Sequence, residues 1–224
     1  MKKAKQFRNI IILLFLLGLL WVGAFLYVPE REALSDHSLE NAIREELDLA
    51  PNEQYHKDDL ADIRVLEIRD AGIEQIEGIE KLTNLVELDL RGNEIDDITL
   101  IGELENLEVL DLRDNRISDI SALGNLTHLE DLNVRGNRIS DISVLSELTN
   151  IRELNIRENS ISDISPLADL TLLRDLNMRY NQIDTLEPLS DLQNLTQRLY
   201  IEGNLIEDTS PVAHYYDHIL ETDF

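Results

Sequence analysis

Apolar positions along this chain fall into a phrase that recurs. From Leu107 to Asn115, Leu110 and Leu112 alternate with Val109, Asp111 and Arg113, and a period of two sends alternate side chains to opposite faces of a strand. The leucines therefore point inward. The phrase returns as LVELDLRGNEI, LEVLDLRDNRI, LEDLNVRGNRI, IRELNIRENSI and LRDLNMRYNQI, closing on Asn93, Asn115, Asn137, Asn159 and Asn181 at intervals of 22 residues. Asn204 follows after 23, and LEIRDAGI places Ala71 one period before Asn93. Seven repeats over residues 63–211 thus predict seven short strands stacked in parallel at about 4.8 Å per step, each coil burying its Leu and Ile against its neighbours.

Further round each coil, Ile117, Ile120, Leu123 and Leu126 are matched one period later by Ile139, Ile142, Leu145 and Leu148. The convex side should therefore be apolar as well. The Asn column fits a side-chain amide that satisfies backbone groups left unpaired by a tight bend. Asp97, Asp119, Asp141 and Asp163, with Ser121, Ser143 and Ser165, read as caps of turns or short helical segments. Ahead of the array, Leu39, Ile43 and Leu47 define one helical stripe with Ala42 beside it, and Asp36 or Ser38 can cap its start. Such a helix would cover the first strand, whose leucines and backbone groups an open end would expose. At the other end, Ser210 to Leu220 departs from the repeat and is rich in aromatics, so residues 212–224 are expected to form a closing cap.

These positions together resemble the 22-residue leucine-rich repeats of the bacterial internalin family. Ile161-Ser-Asp-Ile-Ser-Pro-Leu167 is especially similar to that family's repeat, and Ile117 to Leu123 and Ile139 to Leu145 are close variants. Leu34 to Leu47 resembles the helical cap that precedes such repeats in many proteins of Gram-positive bacteria, so residues 29–62 are read as linker and cap. The resemblance implies an α/β repeat solenoid: a right-handed array with a curved parallel sheet that binds a protein partner on its concave side, without catalysis. Partner-binding residues vary among members, so none transfers by motif. The ending also resembles those of related arrays, from which a complete chain is expected.

Composition divides the chain in two. Ile10 to Val28 is a run of 19 residues without a charge, which as a helix spans about 29 Å and matches a bilayer core. Lys2, Lys3, Lys5 and Arg8 precede it, which predicts a cytoplasmic tail over residues 1–9, a membrane helix over residues 10–28 and an extracellular remainder. The alternative is a secreted protein cleaved after Val22-Gly23-Ala24. All 45 acids follow residue 28, against 16 bases there, which disfavours nucleic acid as a partner. Those bases are 14 Arg and only Lys57 and Lys81; Arg keeps its charge at high pH, so an alkaline or salty exterior fits this bias, as does family drift. With no Cys, disulfides, thiol nucleophiles and lipid-modified cysteines are excluded.

Candidate chemistry lies in the outward strand columns. Arg69, Arg91, Arg113, Arg135, Arg157 and Arg179 hold one place in six successive repeats; two residues earlier stand Glu67, Asp89, Asp111, Asn133, Asn155 and Asn177, and two earlier again Val65, Glu87, Val109, Asp131, Glu153 and Asp175. The concave face should carry an arginine ladder beside acid and amide ladders, compensated by neighbouring opposite charge. From Asn133 onward the middle column loses its acids, leaving Arg135, Arg157 and Arg179 less compensated where Tyr180 and Tyr200 break the polar pattern. Asp89, Arg91, Asp111, Arg113, Arg135, Arg157, Arg179, Tyr180 and Tyr200 are therefore the candidate partner-binding residues. A mutually neutralised, solvated surface is the bland alternative.

Two further features need weighing. One extra residue between Leu195 and Leu199 predicts a bulge before the last strand that re-aims Arg198 and Tyr200. His214 and His218, four apart around Asp217, would sit on one face of an α-helix and could support a metal-dependent hydrolase. No further His lies nearby, so neither a metal nor a cofactor is expected. The sequence thus predicts a non-enzymatic module displayed on the outer face of the cell membrane, as adhesin, receptor ectodomain or scaffold.

Overall fold

Each period closes one coil. A three-residue strand runs along one side, the Asn turn follows it, and a 3-10 turn forms the opposite side. The computed structural model describes residues 37–50 and 53–224. Its strands are β1 (Val65–Glu67), β2 (Glu87–Asp89), β3 (Val109–Asp111), β4 (Asp131–Asn133), β5 (Glu153–Asn155), β6 (Asp175–Asn177), β7 (Arg198–Tyr200) and β8 (Glu221–Thr222). They form one sheet in chain order, and every pairing is parallel.

The central leucines of β1 to β7, from Leu66 to Leu199, are all buried. On the opposite side, Ile120, Leu123, Leu126 and Leu129 are buried too, and the N–H groups of Leu123, Leu126 and Leu129 each donate to the carbonyl three residues back at 2.9–3.0 Å. Apolar residues every third position suit a 3-10 turn, whose three residues per turn align them on one face. Asn115 locks this arrangement. Its Oδ1 accepts the Ile95 N–H at 3.2 Å, and its Nδ2 donates to the Leu90 and Leu112 carbonyls at 3.0 Å. Asn93, Asn137, Asn159, Asn181 and Asn204 repeat the clasp, each tying two coils together. Asp97, Asp119, Asp141 and Asp163 each accept the N–H two residues on at 2.8 Å, capping the 3-10 turns.

At the front, α1 (His37–Glu46) buries Leu39 and Ile43, with Leu47 partly buried just past its end. Ser38 lies inside α1, not at its cap, and Asp36 falls outside the described residues. A short α2 (Lys57–Leu60) follows, burying Leu60. The expected membrane helix over residues 10–28 and the cleavage site at Val22 to Ala24 also lie outside the described residues. Among the described residues, no helix is long and apolar enough to cross a membrane.

The carboxyl end differs from expectation. Two 3-10 turns, Ser210–Val212 and Tyr216–His218, lead into β8, so the closing segment adds an eighth strand to the sheet. Thr222 pairs with Leu199, and Phe224 beyond it packs at a tilt against Tyr216 with ring centroids 5.1 Å apart. The extra residue before β7 is taken up without breaking the ladder. In the preceding coil, the Arg174 and Asp175 N–H groups both donate to the Arg152 carbonyl; here the Gln197 N–H donates to Arg174, and pairing resumes one residue later as Asp175 with Arg198.

Candidate functional site

The outward residues of the strands make the open face of the sheet. Its middle column has a backbone duty first: Asp89 and Asp111 accept the N–H groups of Arg91 and Arg113 at 3.1 Å, and Asn133, Asn155 and Asn177 accept those of Arg135, Arg157 and Arg179 at 3.2–3.3 Å. Acid or amide serves equally for this bond. Each arginine is followed by a left-handed residue, from Asp70 and Gly92 through Asp114, Gly136 and Glu158 to Tyr180.

The acids of the first coils hold the arginine column as expected. Arg69 Nε lies 2.6 Å from Asp89 and its Nη2 2.8 Å from Glu67, while Arg113 Nε lies 3.1 Å from Asp111. Arg91 stands 4.0 Å from Asp89. Beyond Asn133 the expectation of poorly compensated arginines is corrected. Glu158 reaches both Arg135, at 3.0 Å, and Arg157, at 2.8 Å, and Asp223 binds Arg179 from beyond β8. Burial pulls the Glu158 carboxyl up, yet the two guanidiniums win and hold it below its ordinary range. The sequence carried a signal for Glu158, the only long acid at the left-handed position. Asp223 carried none, because its place depends on β8.

Tyr180 and Tyr200 each pack against arginine. The Arg157 guanidinium lies 5.0 Å from the Tyr180 ring, Arg179 lies 3.8 Å from Tyr200, and Arg198 reaches the same ring at 6.0 Å. Tyr180 is 43% exposed. Tyr200 donates its hydroxyl to Glu221, a bond that raises the phenol above its ordinary range. Arg198 Nε is also 2.6 Å from Asp175.

The third column is less satisfied. Among the described residues, the carboxylates of Glu87, Asp131 and Glu153 make no hydrogen bond or ion pair, although Glu87, Val109, Asp131 and Glu153 stand in direct register across β2 to β5. Burial, reinforced by Glu153, Asp111, Asp175 and Glu87, pushes the Asp131 carboxyl up to about 6. Burial likewise raises Asp111 and Asp175 despite their arginines. A cavity of about 120 Å³ opens beside Val109 among Glu87, Asp89, Asp111, Asp131 and Asn133, with the backbone of Leu88 and Leu110 behind it.

The histidine pair loses its premise. His214 packs edge-on against Tyr215 at 5.0 Å, and His218 closes the second of two separate 3-10 turns, so no α-helical face presents both. Among the described residues no group of three or more His, Cys, Asp or Glu is placed to hold a metal.

Comparison with known proteins places this architecture. The family model "Leucine Rich repeats (2 copies)" matches residues 105–147 and 149–191, and "Leucine Rich repeat" matches residues 81–98. An internalin of Listeria monocytogenes, InlF, is similar with a TM-score of 0.79 and 35% identity, over 86% of this chain and 57% of its own. Internalin C2 of the same species reaches 0.70 and 30%, over 85% of this chain and 93% of its own. The chain belongs to the internalin-like leucine-rich-repeat proteins. This internalin-like chain thus spans little more than half the length of InlF and nearly all of internalin C2. The leucine-rich-repeat ectodomain of an Arabidopsis thaliana membrane receptor kinase shares the fold alone, at 0.60 and 23% over 66% of this chain and 19% of its own. A search of curated proteins found no match. Leucine-rich-repeat modules of these kinds are typically protein-binding.

Proposed function

We propose that this internalin-like chain is a non-enzymatic protein-binding module, held on the outer face of the cell membrane by residues 10–28, that captures a protein partner through its concave strand face. The observation that carries the reading is the packing of Arg157 against the Tyr180 ring and of Arg179 and Arg198 against the Tyr200 ring. Arginine and tyrosine are enriched at binding hot spots, and rings and guanidiniums held by a rigid sheet lose little entropy on docking. Asp89, Arg91, Asp111, Arg113 and Arg135 extend the surface toward the front of the array. The uncharged run Ile10 to Val28 and its basic flank support the anchor.

Crosslinking on intact cells tests both parts, using the full-length chain and an Arg157→Ala, Tyr180→Ala, Tyr200→Ala variant. A specific partner captured by the parent and lost from the folded variant supports the face; equal capture contradicts it. An intact amino terminus in the membrane fraction supports the anchor, and a chain in the medium beginning at Phe25 means secretion instead.

A further inference from the structure

Charge on the strand face is compensated unevenly. Glu67, Asp89, Asp111 and Asp175 each have an arginine within 4.0 Å. Glu87, Asp131 and Glu153 have none among the described residues, and they share one column with Val109 between the first two. At about 4.8 Å per strand, Asp131 stands one step from Glu153 and two from Glu87. Like charges so placed repel, and Asp131 suffers this while half-buried.

We propose that β2 to β5 receive a basic segment of the protein partner, one Lys or Arg side chain lying over Val109 with its cation between Glu87, Asp111 and Asp131. The inference rests on the strand-face reading above and names the partner's chemistry. Lys and Arg are apolar along the stem and charged at the tip. The cavity has the complementary form: Val109 is its apolar side chain, since Leu88 and Leu110 turn theirs into the core, and Glu87, Asp111 and Asp131 line it with carboxylates. Among the described residues no three carboxylates are placed to hold a metal ion. Glu153, one strand on, continues the file for a second basic residue of an extended segment. An acidic or nucleic-acid partner would meet unneutralised carboxylates instead.

The test uses the purified full chain and an oligolysine peptide, with the lysine-acetylated peptide as comparison, by calorimetry at moderate salt. Asp131→Asn keeps the shape and should weaken oligolysine binding on the order of tenfold. Because the whole chain is acidic, the control is Glu103→Gln with Glu105→Gln, two exposed acids away from the strand face, which should change binding less than about twofold. Parent affinity should also fall as pH drops through 6, where Asp131 takes up its proton. Equal losses in Asp131→Asn and the control, equal binding of the acetylated peptide, or Ca²⁺ displacing oligolysine through Asp131 would each overturn the proposal. Thermal unfolding confirms that each variant is folded. Cell-partner capture separates the two readings: loss in the Arg157, Tyr180 and Tyr200 variant with retention in Asp131→Asn contradicts the basic segment alone, whereas capture indifferent to both contradicts the strand face itself.

Discussion

Arg198 stands beside Asp175 with 2.6 Å between Nε and the carboxylate. The extra residue before β7 puts an arginine where the preceding coils of that column carry Val or acid, directly opposite an aspartate that is only 5% exposed. Arg198→Ala leaves that carboxylate without its cation. Breaking a fully buried pair costs about 3–5 kcal/mol, but the Arg198 side chain is 43% exposed, so a loss of about 1–2 kcal/mol is expected. Urea unfolding of parent and variant measures it.

The asparagine clasp predicts a sharper loss. Asn115 is 8% exposed and joins four backbone groups from two coils, so Asn115→Ala strands them at a cost on the order of 2–4 kcal/mol. Asn115→Asp keeps the acceptor but loses the donor and should fare little better. A thermal melt in which the Asp variant matched the parent would contradict this account of the column.

Tyr180 and Gly203 form a tall and short pair. A Cβ on Gly203 would lie 2.4 Å from the Tyr180 ring, and the glycine itself has φ +75°. Gly203→Ala should therefore lower stability by about 1–3 kcal/mol, and adding Tyr180→Ala should recover the steric part but not the backbone part. A double-mutant cycle reads the split directly.

Acid titration should show two opposing trends. Asp131, raised to about 6 in the fold, binds more protons folded than unfolded between about pH 4 and 6, so its contribution falls as pH rises through that window. Asp111 and Asp175, also raised, act in the same direction. Asp97, Asp119, Asp163 and Asp208 are lowered, chiefly by the Thr or Ser N–H and hydroxyl groups that they cap. Their contribution is present above the ordinary aspartate range and lost below it. Stability should therefore peak in mild acid, and Asp131→Asn should flatten the slope between about pH 4 and 6 and stabilise the protein at neutral pH. Melting temperature against pH checks both.

The repeat makes much of this structure legible in the sequence. A leucine every second residue and an asparagine every 22nd fix the strand side, the core and the turn, because the same local chemistry is imposed in each coil. What the spacing does not encode lies at positions where the pattern is broken or ends. Glu158 occupies a turn column otherwise filled by Gly, Asp or Tyr and turns back to two arginines. Asp223 gains its role only because β8 extends the sheet. The extra residue before β7 was visible, but its outcome depended on how one carbonyl shares its hydrogen bonds. The surface columns were correctly placed, while their ion pairs crossed between columns in ways that spacing alone does not encode.

The most direct measurement places a photo-crosslinking residue at Asn155 on β5, or at exposed Glu147 on the opposite side of a neighbouring coil, in the full chain on living cells. The strand-face account predicts a discrete crosslinked protein from position 155 and none from position 147. Crosslinking from position 147 alone would contradict it.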